Sequence, residues 1–304
     1  MQRLVISLIL LLPALQLGAH GIDGCISGNL LGGFTGYDRG NRIGIRQLYF
    51  TGSSEHTNFW GQDVTDYGHS FATFLSGNMF LSRRWSIMAN TSYYVNYEDF
   101  SGEKSTELGW GDSRLIMSYT FYLRIKDSTS FSRASAGFGI ELPTGKVANS
   151  ALVGNFSTGS GSYDFPFSAN YITSRRNHGI RATGFFLYNG RNHQFSYPYK
   201  YGNAFGMSLS AFRNFSVRNW QCSIGAGPSL LSSDNDVYEF EPRPYIVSNK
   251  YLAAFVQGEI AARLGGFAIN TSVNLPFYTE KAEELFDQFF WCELGMSLAL
   301  SRSH

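Results

Sequence analysis

The chain has 304 residues, of which 15% are charged and 16% aromatic, and it contains 33 glycines. Few charges with many aromatic and glycine residues favour β-structure whose surface is not wetted everywhere, because ordinary globular domains carry about 25% charged residues. The formal net charge of +1 gives no field that would gather nucleic acid, so we expect no nucleic-acid partner.

The first residues predict a secretory signal. Arg3 supplies a positive charge, residues 4–17 are almost continuously apolar, and residues 19–21 fit the small-x-small rule for cleavage. We therefore expect residues 1–21 to be a signal peptide and the mature chain to be exported. A lipidated Cys25 is a second processing possibility, but the charge of Asp23 in the segment before it is unusual in lipoprotein signals.

After the signal, the chain shows strand-like alternation and no apolar stretch as long as the roughly 18 residues of a spanning helix. Glycine-rich residues 22–40 are interpreted as a periplasmic lead-in or partial plug. Residues 41–304 contain about twelve alternating segments of roughly ten residues, the length and period of membrane-spanning strands. In the clearest, residues 85–97, one face is apolar with aromatic ends and the other is mostly polar. The same division recurs in residues 132–142, 252–264 and 290–300.

The connections between these segments alternate between short and long. The short ones are residues 82–84, 125–128, 174–178, 216–219 and 264–266, and the long ones are residues 51–68, 99–110, 143–161, 190–200, 232–248 and 278–288. This rhythm predicts an all-β fold, a closed antiparallel up-and-down transmembrane β-barrel of about 12 strands in the bacterial outer membrane, with short turns periplasmic and long loops outside. A soluble β-sandwich also alternates, but it does not explain the low charge or the aromatic strand ends.

Three glycine-containing motifs follow one another in the middle of the chain: Gly109-Trp110-Gly111-Asp112, Leu142-Pro143-Thr144-Gly145-Lys146 and Thr158-Gly159-Ser160-Gly161-Ser162-Tyr163-Asp164. Their order resembles that of the transporter-like outer-membrane barrels associated with the meta-pathway of phenol degradation. The start, Gly24-Cys25-Ile26-Ser27-Gly28-Asn29, is similar to the Bacteroidota-type branch of that family. The resemblance implies uptake of hydrophobic or aromatic compounds.

The polar residues opposite each apolar face are the candidates for lining a lumen. They are Arg46, Asn78, Asn90, Asn96, Arg114, Arg133, Glu141, Asn170, Glu259, Arg263, Asn270, Asn274 and Glu293. Charges inside a barrel are tolerated only where water or an opposite charge meets them. These residues therefore either line a wet path or pair with one another in a closed barrel.

The sequence offers no catalytic constellation, since no histidine of the mature chain stands in a serine–histidine motif. We expect no catalytic residue, no metal and no cofactor. Asp234 and Asp236 lie together in a long loop, where a solvated loop is favoured over a Ca²⁺ site. The expected partners are outer-membrane lipid and a small-molecule cargo, and the oligomeric state stays open.

These patterns favour an outer-membrane pore or transporter-like protein for small molecules over an enzyme. A structural or surface-binding barrel with a blocked lumen is the second hypothesis, and a membrane-embedded lipid hydrolase is the third. Cys222 and Cys292 are expected to face lipid from strands that are not neighbours, too far apart for a disulfide. Ala89 is expected to face lipid and Asn90 the lumen, so an arginine should be better tolerated at Asn90.

Overall fold

The computed structural model describes residues 41–57, 63–100, 103–127, 130–145, 159–192, 199–238, 245–247, 250–281 and 288–300. The expectations for residues 1–21, residues 22–40 and Cys25 lie outside these ranges. The strands are β1 Arg42–Thr57, β2 Asp63–Phe80, β3 Trp85–Phe100, β4 Glu103–Trp110, β5 Ser113–Asp127, β6 Ser130–Leu142, β7 Phe165–Arg175, β8 His178–Tyr188, β9 Arg191–Asn192, β10 Tyr199–Lys200, β11 Ala204–Val217, β12 Trp220–Ser233, β13 Asp236–Tyr238, β14 Tyr245–Val247, β15 Tyr251–Leu264, β16 Phe267–Lys281 and β17 Gln288–Ala299.

The strands form a closed antiparallel barrel. Neighbours along the chain pair in order, and β1 pairs with β17 to close the wall, from Arg42 opposite Ala299 to Ser53 opposite Gln288. β4 and β5 both pair with β3 and together act as one interrupted strand, so the wall has twelve strands. Closure leaves no sheet edge in the wall for lipid to meet unpaired. The predicted fold class is confirmed.

No helix within the described ranges is long and apolar enough to span a membrane.

The connections follow the predicted rhythm at the short-turn end. β2 ends at Phe80 and β3 begins at Trp85, and the other predicted short turns likewise separate consecutive strands. At the long-loop end the first two loop predictions, residues 51–68 and 99–110, were wrong in part. β1 and β2 continue as a paired ribbon into the predicted loop at residues 51–68, and β4 occupies most of the one at residues 99–110. Backbone pairing can extend a hairpin past the barrel without any apolar alternation to mark it in the sequence.

Buried and exposed side chains alternate along the strands. The outward face is apolar: Phe138 is 57% exposed and Leu298 is 52% exposed. Such a surface requires an apolar surrounding, as the lipid-facing band of a membrane barrel does.

Cys222 and Cys292 alternate with the outward-facing residues of their strands, and β15 and β16 separate these strands in the wall. The expected placement of the two cysteines is therefore confirmed, and no disulfide joins them.

A second, four-stranded sheet lies within the connections of the long-loop end. Its order is β14-β13-β10-β9, with Tyr199 paired to both Asn192 and Tyr238. The connection before β11 and the connection after β12 are thus joined to each other by backbone hydrogen bonds. The predicted loops at residues 190–200 and 232–248 are partly sheet.

Candidate functional site in the barrel lumen

Every candidate lumen-lining residue predicted from the sequence lies at an inward position of its strand. Arg46, Asn90, Asn96, Arg114, Glu141, Asn274 and Glu293 are buried; Asn78, Arg133, Glu259, Arg263 and Asn270 are partly exposed; Asn170 is exposed. All of them share strand parity with buried neighbours, which places them on the inner face of the wall. A role in lining a transport path stays a prediction.

Among the described residues, three ion pairs lie on the inner side of the wall. Arg114 Nε donates to Glu141 Oε2 at 2.6 Å, and Arg46 Nη1 lies 3.5 Å from Glu293 Oε2. Both pairs join neighbouring strands, so they keep their charges against the wall. The two hypotheses for the interior charges are therefore not exclusive: these residues pair with one another and still leave other inward positions for water.

The third ion pair crosses part of the lumen. Arg181 Nη1 donates to Glu259 Oε2 at 2.7 Å, although β11 and β12 lie between their strands. Gly225 lies beneath this bridge, where an added Cβ would come within 2.8 Å of Glu259 Oε1. A side chain at this position would displace the bridge, so the glycine is what allows the carboxylate to span two strands.

Apolar side chains fill the lumen at another level. We call this set the apolar layer; its members are buried to between 0 and 8% exposure, and they are Leu48, Ala72, Phe74, Tyr94, Phe185, Leu187, Ala204, Leu231, Ala253, Phe255 and Trp291. Phe255 meets Trp291 edge-to-face with 4.4 Å between ring centroids, and Phe74 meets Tyr94 in the same way at 6.1 Å. The polar lumen that the alternation suggested is therefore interrupted by a packed apolar section.

The register shows that neighbouring strands contribute residues to this layer side by side. Leu48 pairs with Ala72, Leu187 with Ala204, and Leu231 with Ala253. Phe185 lies over Gly206, where an added Cβ would be 2.2 Å from the ring. Large and small inward residues thus alternate across strands, as they must to fill a cylinder without voids.

The described ends of the connection between β6 and β7 are held by two buried aspartates. Asp112 accepts hydrogen bonds from Gly145 N at 2.7 Å, from Ser160 N at 2.6 Å and from Ser160 Oγ at 2.8 Å. Asp164 accepts from Gly190 N and from Ser162 Oγ, each at 2.7 Å. Two buried carboxylates therefore hold the β6–β7 connection and the start of the connection after β8 in place.

The three motifs that carried the family resemblance meet at Asp112. Gly145 and Gly159 pack so closely that a Cβ on either would be 2.6 Å from the other's Cα. The sequence places Asp112 within a motif but does not predict its role, because a sequence does not show which backbone amides a carboxylate contacts. The signal that was present is an acidic residue between a glycine and a strand in a region that otherwise has few charges.

We expect Asp112→Ala to lower the stability of the barrel by about 1–3 kcal/mol, the cost of leaving buried donors without an acceptor. The affected donors are the buried amides of Gly145 and Ser160. Urea unfolding in detergent micelles measures the change. Asp99, a partly exposed carboxylate on β3, provides the control variant Asp99→Ala, which should change stability far less. Equal losses in both variants would contradict the role of Asp112.

Asp236 ties the second sheet to the barrel. It accepts a hydrogen bond from Gly202 N at 2.6 Å and one from the Tyr199 hydroxyl. Asp234, by contrast, is exposed. Within the described ranges, no group of three or more histidine, cysteine or acidic side chains is arranged to hold a metal ion. The carboxylate of Asp236 orders the connections through its two hydrogen bonds.

The barrel resembles solved outer-membrane proteins. The COG4313 outer membrane channel from Pseudomonas putida F1 aligns with a TM-score of 0.64 at 12% identity, over 88% of this chain and 100% of that chain. The β domain of the Bordetella autotransporter BrkA aligns at 0.47 with 9% identity, over 86% and 100%. The CymD monoaromatic hydrocarbon channel aligns at 0.39 with 10% identity, over 87% and 90%.

The first of these alignments shows a shared fold, and the weaker two carry no further argument. No protein-family model matches the chain, and a comparison with curated proteins finds no match.

Proposed function

We propose that the chain is an outer-membrane channel for small molecules, with a preference for apolar and aromatic ones. The apolar layer carries this proposal. A hydrated solute loses hydrogen bonds in such a section, whereas an apolar solute exchanges one apolar surrounding for another. A general porin is instead polar along its interior. The lumen of this barrel therefore favours apolar cargo where the apolar layer interrupts its polar surface.

The interior outside the apolar layer supports passage to an aqueous compartment. Inward positions on β12 and β16 are small or polar, including Gly227, Ser229 and Ser272. Buried oxygens of Ser229 and Asn274 have no hydrogen-bond partner among the described residues, and buried polar atoms of this kind are normally satisfied by water. A cargo that leaves the layer thus enters a section suited to hydration.

The finer family assignment is part of the same proposal. The convergence of the three motifs on Asp112 gives them a shared structural task, which supports membership in the barrels associated with the meta-pathway of phenol degradation and in their Bacteroidota-type branch. We also propose that the chain has no enzymatic activity. Lipid hydrolysis by the purified protein would instead support the membrane-embedded hydrolase.

A structural barrel with a blocked lumen is the second candidate, and the complete burial of the apolar layer favours it. Uptake into lipopolysaccharide-containing proteoliposomes separates the candidates. A channel for apolar cargo should accelerate indole uptake over protein-free liposomes while leaving arabinose-driven swelling unchanged. Fast swelling in arabinose would identify a general porin, and no acceleration of either solute would identify the blocked barrel.

The outer-membrane orientation has its own test. A tag inserted between residues 239 and 244, within the connection at residues 232–248, should be labelled on intact cells because long loops of such barrels face outside. A tag in the short turn at residues 216–219 should be labelled only after the outer membrane is permeabilised. Labelling in the opposite pattern would invert the topology.

A further inference from the structure

The outward face of the wall contains a depression across β11, β12, β15 and β16, with a volume of about 670 Å³. Each of the four strands contributes three consecutive residues, centred on Phe212, Gly225, Glu259 and Ser272. The first and third of each triplet have the outward alternation, so the depression opens to the lipid side. It is therefore separate from the lumen and from any transport path.

Small residues form the floor of this depression. Ala211 pairs with Ala226, Ala226 with Gly258, and Gly258 with Val273, so they make one row across the four strands. An added Cβ at Gly258 would meet nothing within 4 Å. The next outward row toward the short turns contains Ile224 and Ile260, which are 49% and 51% exposed. The floor is thus bordered by a ridge of larger side chains, which leaves a trough.

Two basic side chains lie where the trough approaches the short turns. Arg213 pairs directly with His178 on the same outward face, and both side chains are exposed. The side chain of Arg213 makes no hydrogen bond or ion pair with any residue that the structure describes. Glu259 is turned to the other side of the wall, where it binds Arg181 at 2.7 Å. The positive charge of Arg213 therefore faces the membrane boundary without a protein counter-charge from this part of the wall.

The two turns beside this pair carry further arginines in costly positions. Arg176 and Arg218 have φ angles of 56° and 54°, in the left-handed region that favours glycine or asparagine. Asn177 and Asn219 follow them and would suit such a position. Formation of these turns does not require arginine at the left-handed positions. The arginine side chains are thus placed at the membrane boundary at the expense of backbone strain.

We propose that this trough binds a glycerophospholipid of the periplasmic leaflet, with an acyl chain along the row from Ala211 to Gly258 and the phosphate at Arg213 and His178. Strand tilt raises the row from its β11 end toward the bilayer centre at β16, the course that an acyl chain follows from its headgroup. Guanidinium groups suit phosphate geometry. The site does not depend on whether the lumen conducts.

Native mass spectrometry of the full chain in detergent, titrated with phosphatidylglycerol, tests the site. Ala226→Phe fills the trough and should reduce retained lipid at least about tenfold, whereas Ala136→Phe, on the lipid face of β6, should not. Arg213→Gln should weaken binding about fivefold, the contribution of one basic group beside an anionic lipid. Arg124→Gln, an exposed arginine at another short turn, is its control.

Diacylglycerol tests whether the phosphate is recognised, and lipopolysaccharide tests which leaflet supplies the lipid. Diacylglycerol has no phosphate, so its weaker binding should be unaffected by Arg213→Gln but reduced by Ala226→Phe. Lipopolysaccharide should not displace phosphatidylglycerol. Equal retention of phosphatidylglycerol by all four variants and the unmodified chain would overturn the site, and displacement by lipopolysaccharide would overturn the assigned leaflet. Each variant is first checked for folding by its heat-dependent shift in gel mobility, which the lipid-facing substitutions should preserve.

Discussion

Replacing Phe74 and Phe255 together with alanine should raise the ion conductance of the barrel at least about tenfold, since removal of about 1.4 kcal/mol from a barrier is sufficient for that. Both rings are essentially inaccessible, at 1% and 0% exposure, and both belong to the apolar layer. Shortening them opens the packed section to water, and a hydrophobic constriction that admits water admits ions. Single-channel recording in planar bilayers measures the change.

The control is Phe138→Ala, which removes the same ring from the lipid face of β6. It should leave the conductance unchanged. Each phenylalanine removed from a packed interior costs about 3–5 kcal/mol, so Phe255→Ala alone is the variant to use if the pair does not fold. Conductance that stays at the level of the unmodified chain in a folded Phe255→Ala barrel would show that another part of the chain closes the lumen.

Arginine at Ala169 should destabilise the barrel by about 2–4 kcal/mol, the cost of a cation near the membrane midplane. Arginine at Asn170, the next residue of β7, should be tolerated because that side chain faces the lumen and is exposed there. The substitution should also shift ion selectivity toward anions if the lumen conducts. Unfolding in lipid vesicles gives the two stabilities, and reversal potentials give the selectivity.

This pair replaces the one at Ala89 and Asn90 that the sequence suggested. Ala89 is exposed on the lipid face as expected, but Asn90 is buried and pairs with Arg114, so an added arginine there would meet a packed interior and a like charge. Ala169 and Asn170 are both exposed and differ only in the face they occupy. Equal destabilisation at the two positions would contradict the assigned faces of β7.

Alternation was sufficient to predict the wall, because period two is a local property that any strand between two different solvents must show. Residues 132–142 fall within β6, and residues 252–264 within β15, close to their predicted bounds. The hairpin ribbons were missed because beyond the membrane neither face needs to be apolar. Residues 53–57, for example, contain no apolar residue, yet they pair along their length with β2.

The apolar layer was missed for a different reason. Phe74 faces the lumen, whereas its neighbours Thr73 and Leu75 face the lipid. The lumen side of this segment is therefore as apolar as its lipid side. Sequence reasoning treated the apolar face as lipid-facing and left large residues of opposite parity without a role. In a barrel with a filled lumen, spanning segments carry large apolar residues on both faces. Counting such segments in the sequence would have indicated the apolar layer.

Closure of the wall sets the order in which this chain can fold. The pairing of Arg42 with Ala299 joins segments at nearly opposite ends of the described chain, and the entropy lost in joining two points grows with the length between them. Hairpins such as β7–β8 need only a short turn, so we expect them to form early and the β1–β17 seam to form last. Until then both seam strands present unpaired backbone, and two unfinished chains can pair with each other through these edges. Assembly of the barrel is therefore a competition between intramolecular closure and aggregation, and a slower insertion into the membrane favours aggregation.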